Sequence, residues 1–442
     1  MPSTTTPPIR SPRGHGPGRA AAGWLARVIL LPALIGLGAL ALAGARRWAG
    51  RDRRDLLARG RLGSLAGARG RRPLNILQVT PRYAPFVGGI ETHTEEVSKR
   101  LAARGHHVTV ATTDPGGTLP DHESRDDVEV VRVRAWPANR DWYFAPGLLR
   151  LIASRRWDVV HLQGVHTLVP PLGALISILL GQRFVLTFHS GGTSSRLRVA
   201  ARDLQWRLIA PLLRSATTLI GVSRFEADRF ATALGVPRER VALIRNGSDL
   251  PPETAGSSKE RAARTARTGA RSRLVLSLGR LERYKGHQRV IAAMPAIRRM
   301  RPGARLRIAG RGDYEPELRQ LVDDMGLGDV VTIGAVPHED MPDTLAEAGV
   351  VALLSEYEAH PVAVMEALAA RRRVVVADTT GFSELAEEGL VRAIPIDADP
   401  EVAAAAIVEE MDRPEPAEAP DLPSWDDTTD ALEDLYLRVA AD

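Results

Sequence analysis

The sequence predicts an α/β chain of two doubly wound parallel-sheet domains in tandem, facing a central cleft. Three observations predict it. Short apolar runs of strand length alternate with helical apolar periodicity from Leu74 to Val439. That rhythm breaks once, over Pro251–Ser272, a stretch dominated by Pro, Gly, Ser, Thr, Ala and Arg with no apolar period. And 442 residues exceed what one hydrophobic core organises. The expected parts are a leader over 1–72, a first domain over 73–250, a linker over 251–272, a second domain over 273–423 and a closing helix within 424–442.

Each element has its own signal. Leu74–Val79 is a strand-length apolar run. A Pro/Gly loop from Pro81 to Gly89 follows, then a helix over Ile90–Arg104, with Val97 and Leu101 on one face and Gly105 as its stop. Strands are expected at His107–Thr112, Val128–Val133, Val159–Leu162, Phe184–Phe188, Leu219–Val222 and Val241–Ile244, with helices between most of them. The second rhythm has strands at Leu274–Leu278, Leu306–Ala309, Val330–Ile333, Val350–Leu354 and Val374–Ala377. Pro400–Met411 reads as a helix, with Asp399 as its N-cap. The last helix, Trp425–Val439, puts Leu432, Leu435, Tyr436 and Val439 on one face. In open sheets of this kind ligands bind at the carboxyl ends of the strands.

Composition narrows the function classes. There is no cysteine, which excludes disulfides and thiolate metal sites. The formal charge of +6 is unevenly spread. Residues 1–72 hold fourteen arginines against two aspartates, a local +12 that leaves the rest at −6. The basic isoelectric point therefore belongs to the leader, and the folded body gives no electrostatic case for nucleic acid. Val28–Ala45 is an uncharged apolar run, extended by Trp24 and Trp48 into a candidate transmembrane helix over 24–48. Four arginines before it and ten after it place its C-terminal side in the cytoplasm. A peripheral basic leader and a signal peptide cleaved near Ala41-Leu42-Ala43 are the alternatives.

Four stretches at predicted strand ends carry chemistry. Gly88 and Gly89 open a helix where backbone can approach a phosphate, or form a plain tight turn. His189 follows a strand and precedes Ser190-Gly191-Gly192, where it can donate to a sugar hydroxyl or be satisfied within its loop. For His161 and His166 the structural reading is stronger. Gly279 to Gly286 sends Arg280 and Lys285 off a strand end together. A guanidinium fork and a point charge suit a diphosphate leaving group, and a solvated basic turn is the bland alternative. Finally, Ser355–Glu366 brackets a strand-to-helix turn with Glu358 and Glu366, and Pro361 is expected at the first helical position. The free amides of Val362, Ala363 and Val364 then form an anion site. Thr380–Glu384 and Gly310–Gly312 are neighbouring strand-end loops. Asp397-Ala398-Asp399 resembles a metal-binding Asp-x-Asp, but its place before Pro400 favours a helix cap, and no essential metal is expected.

Taken together, the chain resembles the retaining glycosyltransferases of family 4, with the GT-B fold of two Rossmann-like domains. The resemblance rests on Pro85 to Glu91, Arg104 to Val108, Gly279-Arg280 through Lys285-Gly286, Glu358 through Glu366, and the late Ser424-Trp425 with its helix. It covers about 74–440. It implies a hexosyl transfer from a nucleotide-diphosphate sugar to a glycan or lipid-linked acceptor, in polysaccharide or glycolipid synthesis, with no cofactor beyond the donor. By the same resemblance Arg280 and Lys285 hold the diphosphate, with Gly89 approaching from the other domain. Glu366 binds the ribose, Glu358 faces the donor sugar, His189 contacts that sugar near the reacting centre, and the amides after Pro361 add to binding. Two departures are visible: Ala359-His360 replaces the family's Gly-Phe or Gly-Leu before the proline, and Gly381-Phe382 stands where Gly-Gly is common. A nucleotide-sugar epimerase and a non-catalytic sugar-binding scaffold of the same shape are the rival functions. The expected location is the cytoplasmic face of the membrane.

Overall fold

The computed structural model describes residues 72–86, 88–114, 116–135, 145–165, 167–190, 209–248 and 272–441. The candidate transmembrane helix 24–48, all but the last residue of the linker 251–272, and His166, Gly191 and Gly192 lie outside the described residues.

The first sheet has eight strands: β1 (Asn75–Val79), β2 (His107–Asp114), β3 (His122–Arg125), β4 (Val128–Arg134), β5 (Val159–Gln163), β6 (Phe184–Thr187), β7 (Thr218–Gly221) and β8 (Val241–Leu243). Their spatial order is β3-β4-β2-β1-β5-β6-β7-β8. All neighbours are parallel except the β3–β4 pair. Strand β3 (His-Glu-Ser-Arg) was not expected, because its exposed, polar sequence carries no apolar signal; it is held only as an edge. Helices α1 (Gly89–Ala103), α2 (Gly147–Ser154), α3 (Val169–Leu180) and α4 (Arg224–Leu234) connect the strands. On α1, Val97 and Leu101 are fully buried, as their spacing predicts.

The second sheet has the order β11-β10-β9-β12-β13-β14, all parallel. Its strands are β9 (Leu274–Leu278), β10 (Arg305–Ala309), β11 (Val331–Gly334), β12 (Val350–Leu353), β13 (Val374–Ala377) and the short β14 (Arg392–Ile394). The helices here are α5 (His287–Met300), α6 (Glu315–Asp324), α7 (Met341–Glu347), α8 (Val362–Ala369), α9 (Gly381–Glu387) and α10 (Pro400–Asp412). Near-continuous Val/Leu/Ile strands such as Val374-Val375-Val376 fit a sheet covered on both faces.

Two local expectations are corrected. Thr380–Glu384 is not a loop but the start of α9. Pro361 is the N-cap of α8 rather than its first helical residue, at φ −76° and ψ 110°. The Val364 amide therefore donates back to the Pro361 carbonyl at 3.0 Å, which leaves Val362 and Ala363 as the outward-facing amides. Asp399 does stand at the N-cap of α10, but its side chain makes no capping hydrogen bond.

The last helix, α11 (Trp425–Ala441), crosses back to the first sheet. Trp425, Leu432, Leu435, Tyr436 and Val439 share one core with Ile76, Val97 and Leu101. Arg104 at the end of α1 pairs with Asp430 and Glu433 on α11, at 2.7 and 2.9 Å. The two lobes also meet at Arg245–Ser248. Arg245 is ion-paired to Glu388 at 2.7 Å and to Glu384. Asn246 donates to the His360 carbonyl at 3.1 Å.

Candidate active site

The charged part of the site grows from the ends of β9 and β12. The loop after β9 closes in a short helical turn, Arg283–Lys285, and Gly286 then takes φ +76°. Only glycine fits there: a Cβ would lie 1.9 Å from the Leu354 carbonyl oxygen. That close approach stitches the two loops. The Glu356 amide donates to the Tyr284 carbonyl at 2.8 Å, and the Tyr284 and Tyr357 rings stack at 4.5 Å. As a result Lys285 Nζ reaches Glu358 Oε1 at 2.6 Å, with both side chains mostly buried.

Arg280 leaves the same loop and donates to the Tyr284 hydroxyl at 2.9 Å. Burial lowers its pKa, but Tyr284, Glu91 and Glu282 outweigh burial and leave the guanidinium above its ordinary value. Glu91 belongs to α1, so Arg280 feels the first lobe. Beneath the loop, burial pushes His287 down to about 4. The neutral ring is a brace: Nε2 donates to the Arg280 carbonyl at 3.2 Å, and Nδ1 accepts from Ser277 Oγ at 2.9 Å.

The Glu358 turn is fixed from α9. The Glu358 amide donates to Thr380 Oγ1 at 2.8 Å, and that hydroxyl donates back to the Glu358 carbonyl at 2.7 Å. Thr380 holds φ +46° to do this, a conformation β-branched residues rarely take. Gly381 packs so closely that a Cβ would fall 2.1 Å from the Ala359 carbonyl oxygen. Phe382 points away into the core and is fully buried. The departure from Gly-Gly therefore does not bring a phenyl ring to the site.

Glu366 lies one turn into α8, behind the outward amides of Val362 and Ala363. Burial, with Glu96 of α1 second, pushes its carboxyl up to about 7. Among the described residues its carboxylate makes no hydrogen bond. It is a half-buried acceptor placed between the lobes.

The first lobe contributes differently. Gly88 and Gly89 open α1, with the Glu91 carboxylate folded over Gly88; a Cβ there would lie 2.4 Å from Glu91 Oε2. A Cβ on Gly89 would meet nothing within 4 Å, so the space above it is open. His189 follows β6 at φ +50° and is nearly buried. Its Nε2 donates to Gln163 Oε1 at 2.8 Å. The Glu226 carboxyl accepts from the amides of Ser190 and Val222, and burial pushes it up to about 7 against those amides. The His93 ring stands edge-on to His189, with centroids 4.7 Å apart. His93 Nδ1 donates to Asn246 Oδ1 at 2.9 Å, and burial holds its pKa down at about 4.

The structure thus joins Arg280, Lys285, Glu358, Pro361, Val362 and Glu366 in one lobe, and sets Gly88, Gly89 and His189 in the other. His161 is a buried network residue. The sequence reading missed Gln163, Glu226, His93, Asn246 and His287. A signal existed for Gln163: a polar residue inside the apolar β5 must find a buried partner. No cluster of three metal-ligating side chains occurs among the described residues.

Comparison with known proteins gives the family. Residues 87–251 match the family model described as Glycosyltransferase Family 4, and residues 258–420 match Glycosyl transferases group 1. The chain belongs to glycosyltransferase family 4. A glycogen synthase of Mycobacterium tuberculosis is 30% identical over 378 residues, covering 78% of this chain and 88% of the relative. A GDP-mannose:cellobiosyl-diphosphopolyprenol alpha-mannosyltransferase of Xanthomonas oryzae is 28% identical, covering 71% of this chain and 81% of the relative. The solved sucrose-phosphate synthase of Thermosynechococcus elongatus superposes with a TM-score of 0.67 at 22% identity, over 84% of this chain and all of that one. The GT-B expectation thus holds, and this glycosyltransferase is an enzyme.

Proposed function

We propose that this glycosyltransferase moves a hexosyl unit from a nucleotide-diphosphate sugar to a glycan or lipid-linked acceptor, with retention at the anomeric carbon. The observation that carries the reading is the Lys285–Glu358 pair at 2.6 Å beside Arg280, at the carboxyl ends of β9 and β12. Two cations held there by backbone stitching suit a diphosphate, and Lys285 exchanges Glu358 for phosphate oxygen when donor binds. Glu358, freed of Lys285, then faces the sugar hydroxyls. Glu366 accepts from the ribose, the amides of Val362 and Ala363 serve sugar and phosphate, and Gly89 admits phosphate from the opposite lobe. His189 contacts the sugar.

In this reading the bond from the anomeric carbon to the leaving phosphate breaks, and the acceptor oxygen bonds on the same face. The acceptor's proton passes to the departing phosphate oxygen. Arg280 and Lys285 stabilise the charge that develops there, so we propose no essential metal; turnover unchanged by EDTA would support this. Family membership favours transfer over the epimerase and scaffold alternatives. The polyprenol-linked acceptor named for the Xanthomonas relative, together with the arginine-rich leader, supports a lipid-linked acceptor met at the cytoplasmic face of the membrane. No helix among the described residues is long and apolar enough to cross a membrane, and the leader lies outside them.

The test is a donor screen on the full chain with UDP-, GDP- and ADP-sugars, following nucleotide release with and without membrane lipid extract. Release that needs the extract supports transfer to a lipid acceptor. Equal release without it points to hydrolysis or epimerisation, and binding of no nucleotide overturns the role of Arg280 and Lys285.

A further inference from the structure

Behind His189 runs a buried chain of hydrogen bonds that the transfer chemistry does not use. His189 Nε2 meets Gln163 Oε1 at 2.8 Å. Gln163 Nε2 donates to Gln78 Oε1 at 2.9 Å, and Gln78 Nε2 donates to the Tyr436 hydroxyl at 3.0 Å. That hydroxyl meets His161 Nδ1 at 2.5 Å, and His161 Nε2 meets Thr187 Oγ1 at 2.8 Å. Apart from His189 at 9% exposure, every member is fully buried. Gln78 and His161 are register partners on β1 and β5, as are Gln163 and Thr187 on β5 and β6. Tyr436 enters from α11, and His189 sits just past the end of β6.

The chain has a direction. Each amide group donates at one end and accepts at the other, so neighbouring links must agree. Gln78 gives its N–H to Tyr436, and the hydroxyl must then spend its proton on His161 Nδ1. His161 donates from Nε2 to Thr187. At the other end the Gln163 amide nitrogen faces Gln78 Oε1 at 2.9 Å and His161 Nδ1 at 3.3 Å, so its oxygen faces His189 and can only accept. His189 must therefore carry its proton on Nε2. In the neutral ring Nδ1 is then the acceptor nitrogen. Links of one polarity reinforce each other in a dry interior.

We propose that Tyr436, through Gln78 and Gln163, is a positioning residue that fixes the tautomer and orientation of His189. The inference rests on the reading of His189 as the sugar contact. It gives α11 a role in the reaction beyond packing: a helix from the end of the chain sets a proton near the other end of the first sheet. His189 is held from its backbone side as well. Glu226 accepts from the Ser190 amide beside it, and the strained φ of +50° needs both restraints. Among the described residues, the titratable groups around the ring are His93 edge-on from α1, Glu226 from α4, and His161 at the far end of the chain.

The test uses the full chain labelled with ¹⁵N-histidine. In the wild type the His189 ring, assigned with His189→Asn, should show the Nε2–H tautomer; a predominant Nδ1–H form contradicts the inference even before any variant is made. Tyr436→Phe removes one oxygen. It should yield mixed tautomers at His189 and lower kcat about tenfold, the size of one buried hydrogen bond, with KM for donor changed less than about twofold. Gln163→Met should act the same way. Turnover is followed with UDP-glucose, GDP-mannose and ADP-glucose in parallel, and melting temperature separates folding losses from rate losses. If His189→Ala abolishes transfer while Tyr436→Phe and Gln163→Met keep the wild-type rate and tautomer, the relay is wrong and the sugar contact stands. If His189→Ala transfers at the wild-type rate, the sugar contact is wrong and the relay's function falls with it.

Discussion

The two lobes present the same architecture to the cleft with opposite chemistry. The second lobe offers charge: Arg280, Lys285 and Glu358 on loops stitched by backbone contacts, and Glu366 one turn into α8. The first lobe offers buried amide and imidazole hydrogen-bonding groups: His189, His93, Gln163, Gln78 and His161. The difference teaches a division of labour. A diphosphate needs localised positive charge that can leave its own ion pair, while a sugar needs donors and acceptors held in fixed polarity. The Lys285–Glu358 pair can exchange a carboxylate for a phosphate oxygen, whereas a buried hydrogen-bond chain keeps its polarity.

The largest expected effect breaks the charged half. Lys285→Ala should lower kcat/KM by about 10²–10³-fold, the range for removing one charge-stabilising donor. Steady-state kinetics with the donor found in the screen measures it. Next comes the stitching itself. Gly286→Ala must relieve both a positive φ and an overlap with the Leu354 carbonyl, so it should cost more than about 2 kcal/mol of stability and misplace Lys285. Urea unfolding reports the first loss, and nucleotide titration the second.

Smaller effects sharpen the comparison through pH. Burial raises Glu366 to about 7 and Glu226 to about 7. From the ordinary carboxyl range up to about 7 the folded protein holds these protons and the unfolded chain does not. Their contribution to stability is thus full at low pH and falls as pH rises through 7. His93 and His287, held at about 4, and His360, held at about 3, act the other way. Their folded pKa values are depressed, so stability falls as pH drops from about 6.5 toward 4. Glu366→Gln should flatten the dependence of nucleotide affinity on pH between about 6 and 8. His360 is buried with neither ring nitrogen hydrogen-bonded among the described residues. His360→Phe should therefore stabilise the protein by about 1–2 kcal/mol, more at pH 5 than at pH 7.5, as read from thermal melts.

The same contrast explains what was legible in the sequence. The charged half sits in local motifs after apolar strands, so Arg280, Lys285, Glu358 and Glu366 could be named from spacing and strand order. The sheets were legible for the same reason, since parallel strands buried on both faces read as apolar runs. Strand β3 was not, because an exposed polar edge leaves no pattern. The neutral half hid in long-range pairing. Gln78 and Tyr436 stand 358 residues apart, and only the fold makes them partners. The conformation of Thr380 was illegible for a different reason: its φ of +46° is imposed by Glu358 backbone, against its own propensity. At Pro361 the error was one of register, since an N-cap and a first helical proline look alike in sequence.

The central claim is that the cations of the second lobe carry nucleotide affinity, while His189 of the first lobe acts on the sugar and not on nucleotide binding. Calorimetric titration of UDP, GDP and ADP into the full chain and its variants tests it most directly. For the nucleotide that binds, Lys285→Ala should weaken affinity about a hundredfold, while His189→Ala stays within about twofold and loses transfer. Unchanged affinity in Lys285→Ala, or equal weakening in His189→Ala, would contradict the account.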